Sequence, residues 1–228
     1  MLDRYYDLAA LPALGELGTE PEMGFAELLE HLSGHRGRHE LVGSLFLLDD
    51  LLQREAYLAG ELPQTDPAVL TVQQAHNESP LPDCLAGEAE EDANASRGLA
   101  VDRLWERYFR YVASLAERLK CQFLADWVRY EVTLRNALAA NRAKRLGLEA
   151  ADYLVAADLG WEGDSLAEVV AEWSSSATPL AGQQVLLRAR WSWLAANDAW
   201  FSFRDDELAA YAARLMLLHQ WARITNQQ

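Results

Sequence analysis

Apolar residues recur at intervals of three and four over most of this chain. The pattern runs over Phe25–Leu32, His39–Ala59, Leu99–Leu146, Glu149–Ala157, Ser165–Trp173 and Pro179–Ala196, and then to about Arg223. Alternating Val/Ile/Thr runs closed by hairpin turns are absent, so the pattern predicts an all-α, multi-helix bundle. Gly34 and Gly60 stop the first two helices. Asp66-Pro67 reads as another helix start, with Pro at the first helical position. Ser202 followed by Asp205 has the form of a capping box with Asp in place of Glu. The long run from Leu99 fits two helices broken near Lys120, or one bent helix.

One stretch interrupts the periodicity. "HNESPLPDCLAGEAEEDANASRG" holds Pro, Gly, Asn, Ser and several acids, and reads as an acidic flexible linker over residues 76–98. It would separate an N-terminal helical lobe, 1–75, from a C-terminal one, 99–228. Half of the 228 residues are hydrophobic, enough for a sizeable core. A net charge of −15 argues against a nucleic-acid binder, which needs a basic stripe, and against docking on anionic lipid. It suits solubility or a basic protein partner. No stretch approaches the roughly 20 apolar residues of a membrane-spanning helix, and the N-terminus lacks the basic start of a signal peptide. Direct membrane insertion is not expected, and the expected compartment is the cytoplasm.

The helix around "VRYEVTLRNALAANRAKRLG" poses the main chemical question. A helix advances about 100° per residue, which sets Glu131 among Leu124, Leu138 and Arg142, flanked by Trp127, Val128, Leu134 and Arg135. An unpaired carboxylate there would cost several kcal/mol, so a partner is expected: Arg135 four residues on, or Arg142. The other face carries Ala125, Val132, Thr133, Asn136, Ala140 and Ala143, small enough for another helix to approach closely. Glu131 is read as a structural ion pair fixing helix register. The competing reading, a general base, needs a second group and a loop-built pocket that the sequence does not supply.

Other constellations add little chemistry. His31, His35 and His39 have the spacing of a zinc stripe, but Gly34 and Gly37 interrupt the helix and Arg36 and Arg38 repel a cation, so a basic surface turn is expected. His35, Arg36 and Arg38 are then candidate partner contacts, as is Trp200 of the Trp191/Trp193/Trp200/Trp221 group if it is exposed. His219 reads as a core-edge histidine with one hydrogen bond. Cys121 reads as a buried structural thiol, and it forms no metal or redox pair with Cys84. No phosphate-cradling loop or catalytic triad can be assembled, so no catalytic residue, metal or cofactor is expected.

Several motifs in order carry a family resemblance. Glu131, Asn136, Leu138, Arg142, Lys144 and Gly147 resemble an acid, then "N-[IL]", then a basic "R-x-K-x-x-G" helix end in the C-type (also called d-type) subunits of V/A-type rotary ATPases. "SFRDDELAAYAARLMLLHQWARI" is similar to that family's last helix. "YYDLAALPAL" and "WSWLAANDAWFSF" resemble a shorter uncharacterised bacterial family encoded beside V-type ATPase genes. Asp49 stands in a "D-x-L-L" that reads as a degenerate repeat of the Glu131 motif, with Asp50 where Asn is usual.

The resemblance implies a funnel-like, non-enzymatic central-stalk subunit. It would couple the rotor shaft subunits to the proteolipid ring, in the cytoplasm and peripheral at the inner membrane. The chain is shorter than the C-type subunits and lacks the Lys-Glu pair of their last helix, near Arg214-Leu215. A soluble assembly factor of the same complex, a small helical enzyme using Glu131 with a histidine, and a self-contained helical homodimer using the Trp-rich surface are the alternatives.

Overall fold

A computed structural model describes residues 8–87, 97–161, 163, 166–198 and 204–226. Every regular element among them is helical. In chain order these are α1 (Phe25–His31), α2 (Arg36–Ala59), the one-turn α3 (Val72–Ala75), α4 (Arg97–Leu119), α5 (Gln122–Leu146), α6 (Ala167–Ser174), α7 (Pro179–Asn197) and α8 (Asp205–Asn226). Two 3-10 turns, Ala150–Tyr153 and Ala157–Leu159, follow α5. No helix among the described residues is long and apolar enough to cross a membrane.

The chain forms two compact units. One holds residues 1–78 and 176–228, the other residues 79–175. The expected lobe 99–228 is thus divided, and its last two helices belong with the N-terminal part. Packing explains this. The α8 stripe Leu208, Ala209, Ala212, Ala213, Leu215 and Met216 is fully buried, and its small residues admit α2 at short range. The facing core of α2 is Leu41, Val42, Leu45, Phe46 and Leu48. The Phe25 ring lies 4.3 Å from that of Phe46, tilted by 34°, and 4.5 Å from that of His219, whose Nε2 is 2.9 Å from the Met23 carbonyl oxygen. His219 is therefore the core-edge histidine expected.

The second unit is built on α4 against α5. Trp105, Tyr108, Phe109, Val112 and Leu115 of α4 are buried, as are Phe123, Leu124, Trp127, Val128 and Leu134 of α5. The aromatics carry much of this core, since each buries some 150–250 Å². Cys121, at the N-cap of α5, is buried, whereas Cys84 is exposed.

Helix ends follow their local chemistry. In α2, the Gly60 N–H reaches the Tyr57 carbonyl and the Glu61 N–H the Ala56 carbonyl, with Gly60 left-handed at φ 77°. In α5, Gly147 (φ 68°) and Leu148 repeat this on Lys144 and Ala143. Both are Schellman ends. α4 ends the same way, but its left-handed residue is Lys120, at φ 55°. The break near Lys120 therefore makes two helices rather than one bent helix.

Three other expectations change. α2 starts at Arg36, before the expected His39, because Gly37 is tolerated in its first turn. Asp66-Pro67 starts no helix: the backbone N–H groups of residues 68–70 bond to a side chain, and the next helix starts at Val72, capped by Thr71. Glu149–Ala157 is not one α-helix but lies over the two 3-10 turns. The Ser202 cap and Trp200 lie outside the described residues.

Candidate functional site

One face of α2 is polar although residues 41–51 of the helix are all buried. Asp50, Gln53, Arg54 and Tyr57 stand at i, i+3, i+4 and i+7, hence on one stripe. All four hold the segment that follows the helix. Asp50, 0 % exposed, accepts the backbone N–H groups of Ala68 (2.8 Å), Val69 (2.7 Å) and Leu70 (2.8 Å). Gln53 grips Asp66 at both ends: its Oε1 accepts the Asp66 N–H (2.8 Å) and its Nε2 donates to the Asp66 carbonyl (3.3 Å). Arg54 donates to the carbonyls of Gln74 and Ala75 and to Asn77 Oδ1. Tyr57 stacks on His76 at 3.8 Å, and Thr65 Oγ1 is 3.1 Å from His76 Nε2.

The result is a strap. From Gly60 the chain runs back along α2 to Asp50, then returns through α3 to the level of Tyr57. A reciprocal Thr71–Gln74 capping box opens α3. Backbone groups in an irregular loop need partners, and here buried side chains supply them.

Asp49, beside Asp50 in sequence, points to different partners. It accepts from Gln53 Nε2 (2.9 Å), from Gln220 Nε2 of α8 (2.9 Å), and from Arg223. Asp49 is 1 % exposed. The two acids thus receive six donors between them. Burial pushes the Asp50 carboxyl up to about 6; the N–H groups of Leu70, Ala68 and Val69 oppose that rise, and Asp49 adds to it.

The second unit repeats the construction with other residues. Asn136 of α5 grips Val155 at both ends: Oδ1 accepts the Val155 N–H (2.8 Å) and Nδ2 donates to the Val155 carbonyl (2.9 Å). Thr133 Oγ1 donates to the Arg129 carbonyl and accepts the Trp161 N–H at 2.9 Å. Arg110 of α4 forks to Asp158, at 3.0 and 3.1 Å. The small face of α5 therefore receives the close backbone of the 3-10 segment, where another helix was expected. A Cβ on Gly160 would stand 3.3 Å from Thr133 Oγ1.

The remaining expected residues are placed as follows. Glu131 is 3 % exposed in the α4–α5 core. Burial first, and then the charges of Glu131 and Tyr111, hold the Tyr108 hydroxyl well above its ordinary range. Arg135 reaches across to α4, with Nη2 3.5 Å from Asp102 and its guanidinium 4.5 Å from the Trp105 ring centroid. Arg142 is not a partner of Glu131. Eleven residues, about 16 Å of helix, separate the two; Arg142 is exposed and lies over Trp173 at 5.1 Å.

Lys144 is exposed in the last turn of α5, where a cation favours the helix dipole, and Gly147 is that helix's left-handed cap. His35 precedes α2 and is half-buried, and Arg36 is exposed. Arg38 is turned inward, Nε 3.4 Å from Asp205, so that cation meets α8 of its own chain. His31, His35 and His39 are divided by the α1–α2 turn. Among the described residues no three His, Cys, Asp or Glu side chains group as metal ligands.

The stripe at 50, 53, 54 and 57 escapes a reading that seeks apolar periodicity. Its spacing was visible, but most of its targets are backbone groups, which have no sequence signature. Comparison with family models, curated proteins and solved structures returns no match.

Proposed function

We propose that this chain is a non-enzymatic central-stalk subunit of a V/A-type rotary ATPase, equivalent to the C-type (d-type) component. It would couple the rotor shaft to the membrane proteolipid ring, in the cytoplasm and peripheral at the inner membrane. One observation carries the reading beyond the motif resemblance. Each unit has a long helix with a Schellman glycine, followed by a segment in which one residue has its N–H and carbonyl both held by a carboxamide of that helix: Gln53 on Asp66, Asn136 on Val155. Modular helical construction suits a part that transmits torque, which needs stiff elements more than an open pocket. The "D-x-L-L" and "E…N-x-L" motifs read as degenerate repeats lie on these two helices.

The buried acids fit a mechanical role. Asp49 and Asp50 are engaged by donors of their own unit. Glu131 shares its unit with no histidine, because all five lie in the other. The contact with basic cytoplasmic loops of the ring draws on the chain's negative charge, and it should weaken as salt rises.

The test is purification of the intact, active ATPase through a tag on this chain. Stoichiometric recovery with shaft and ring supports the proposal. Recovery with incomplete complexes alone identifies an assembly factor instead. Glu131→Gln should lower thermal stability and leave no catalytic step lost; an activity abolished in a stably folded variant would favour the enzyme reading.

A further inference from the structure

Large apolar side chains that remain exposed among the described residues sit in two places, both just after a long helix. Val69 (40 %) and Val72 (45 %) are on the strap behind α2, and Leu146, Leu148, Tyr153 and Leu154 surround the end of α5. The second group is mixed in charge, with exposed Lys144 and Arg145 beside exposed Glu149 and Asp152, so it selects no occupant. The first has no cation in its own segment. From Glu55 to Ser96 the chain contains no Lys or Arg, and the exposed acids Glu61, Asp66 and Glu78 flank the two valines in sequence.

The strap is also unusually well fastened for a loop that shows valines to water. Asp50 holds the N–H of Val69 itself and of both its neighbours, Gln53 holds Asp66, and Arg54 holds the end of α3. Asp50 and Gln53 lie within one turn of α2, about 5 Å of axis, so Val69 and Asp66, whose backbones they hold, stay near one another. Exposed apolar groups fixed in place by buried polar ones form a contact surface whose ordering entropy is already spent by the fold.

We infer that the strap Asp66–Val72 is a docking face for a cationic segment that presents an apolar stripe, such as a basic amphipathic helix or a basic loop with aliphatic tips. Apolar contact falls on Val69 and Val72, and Glu61, Asp66 and Glu78 set the sign of the partner. A second copy of this chain is disfavoured because each copy carries −15. The inference deepens the proposed function by naming the face that would meet a basic partner, and only the partner's identity rests on that reading.

The probe is a labelled amphipathic helical peptide of Leu and Lys, followed by fluorescence anisotropy. A peptide of equal charge with Ser in place of Leu serves as the comparison. Val69→Ser with Val72→Ser should weaken the Leu/Lys peptide about tenfold and leave the Ser/Lys peptide unchanged. Glu61→Gln with Asp66→Asn should also weaken it, whereas Glu149→Gln with Glu168→Gln, an equal loss of charge in the other unit, should change it less than twofold. Both valines are already exposed, so circular dichroism should find the variants folded. Equal affinity for the wild type and the valine variant overturns the inference, as does an equal loss in the two charge variants, or no binding at all. Peptide binding without ATPase co-purification would remove the rotary reading and leave the docking face standing.

Discussion

Asp50 holds three backbone N–H groups inside a protein core, and that position has a measurable signature. Its folded pKa, about 6, lies above the ordinary 3.8. The folded chain therefore binds the Asp50 proton more tightly than the unfolded chain does. The resulting contribution to stability is largest below pH 3.8, declines as pH rises towards 6, and is constant above. A difference of about 2 units corresponds to about 3 kcal/mol. Asp50→Asn should remove this slope. Urea titrations at several pH values between 4 and 7 would show the wild type losing stability relative to the variant as pH rises. The variant should also be weaker at pH 4, since an amide NH2 would face a backbone N–H. Parallel pH curves would mean that Asp50 does not titrate in this range. Asp49 and Asp50 were legible in the sequence as an acidic pair on a helix. Their opposite duties were not, because neighbouring residues on a helix point about 100° apart and what each meets depends on other segments.

At the scale of the element, helix ends were the most readable feature. Gly60 and Gly147 both stand where a left-handed residue closes a helix. Lys120 occupies the same geometry with a Cβ, which costs about 1 kcal/mol relative to Gly. Lys120→Gly is expected to stabilise the protein by about 1 kcal/mol, and Gly147→Ala to destabilise it by a similar amount. Both changes should appear as shifts of the urea midpoint at constant slope. A destabilising Lys120→Gly would show that the lysine's own contacts outweigh the backbone strain. The 3-10 turns after α5 depart from the helix their composition predicts for an opposite reason. Residues 149–157 have helical composition, yet Asn136 takes the backbone groups of Val155 that an α-helix would have used. The same competition at Asp50 prevents a helix from starting at Asp66.

At the scale of the whole molecule, the chain leaves its first unit after Glu78 and comes back at Ser176. The first unit therefore needs both ends of the sequence. A chain stopped after Ser175 would open the α2 face of Leu41, Leu45, Phe46 and Leu48 to water and leave Asp49 without Gln220 and Arg223. We expect amide exchange protection in α2 to be lost in that truncation while α4 and α5 keep theirs. Unchanged protection in α2 would show that α8 does not complete its core.

The sequence by itself determined most of the helices, most of their ends and the buried state of Glu131, because periodicity, caps and left-handed glycines act within a few residues. Only the tertiary structure decided that residues 176–228 complete the first unit, that Arg142 takes Trp173, and that one polar stripe on α2 fastens a strap. Those outcomes depend on which distant surfaces fill each other's space and which backbone groups remain to be satisfied, and neither is encoded at any fixed spacing along the chain.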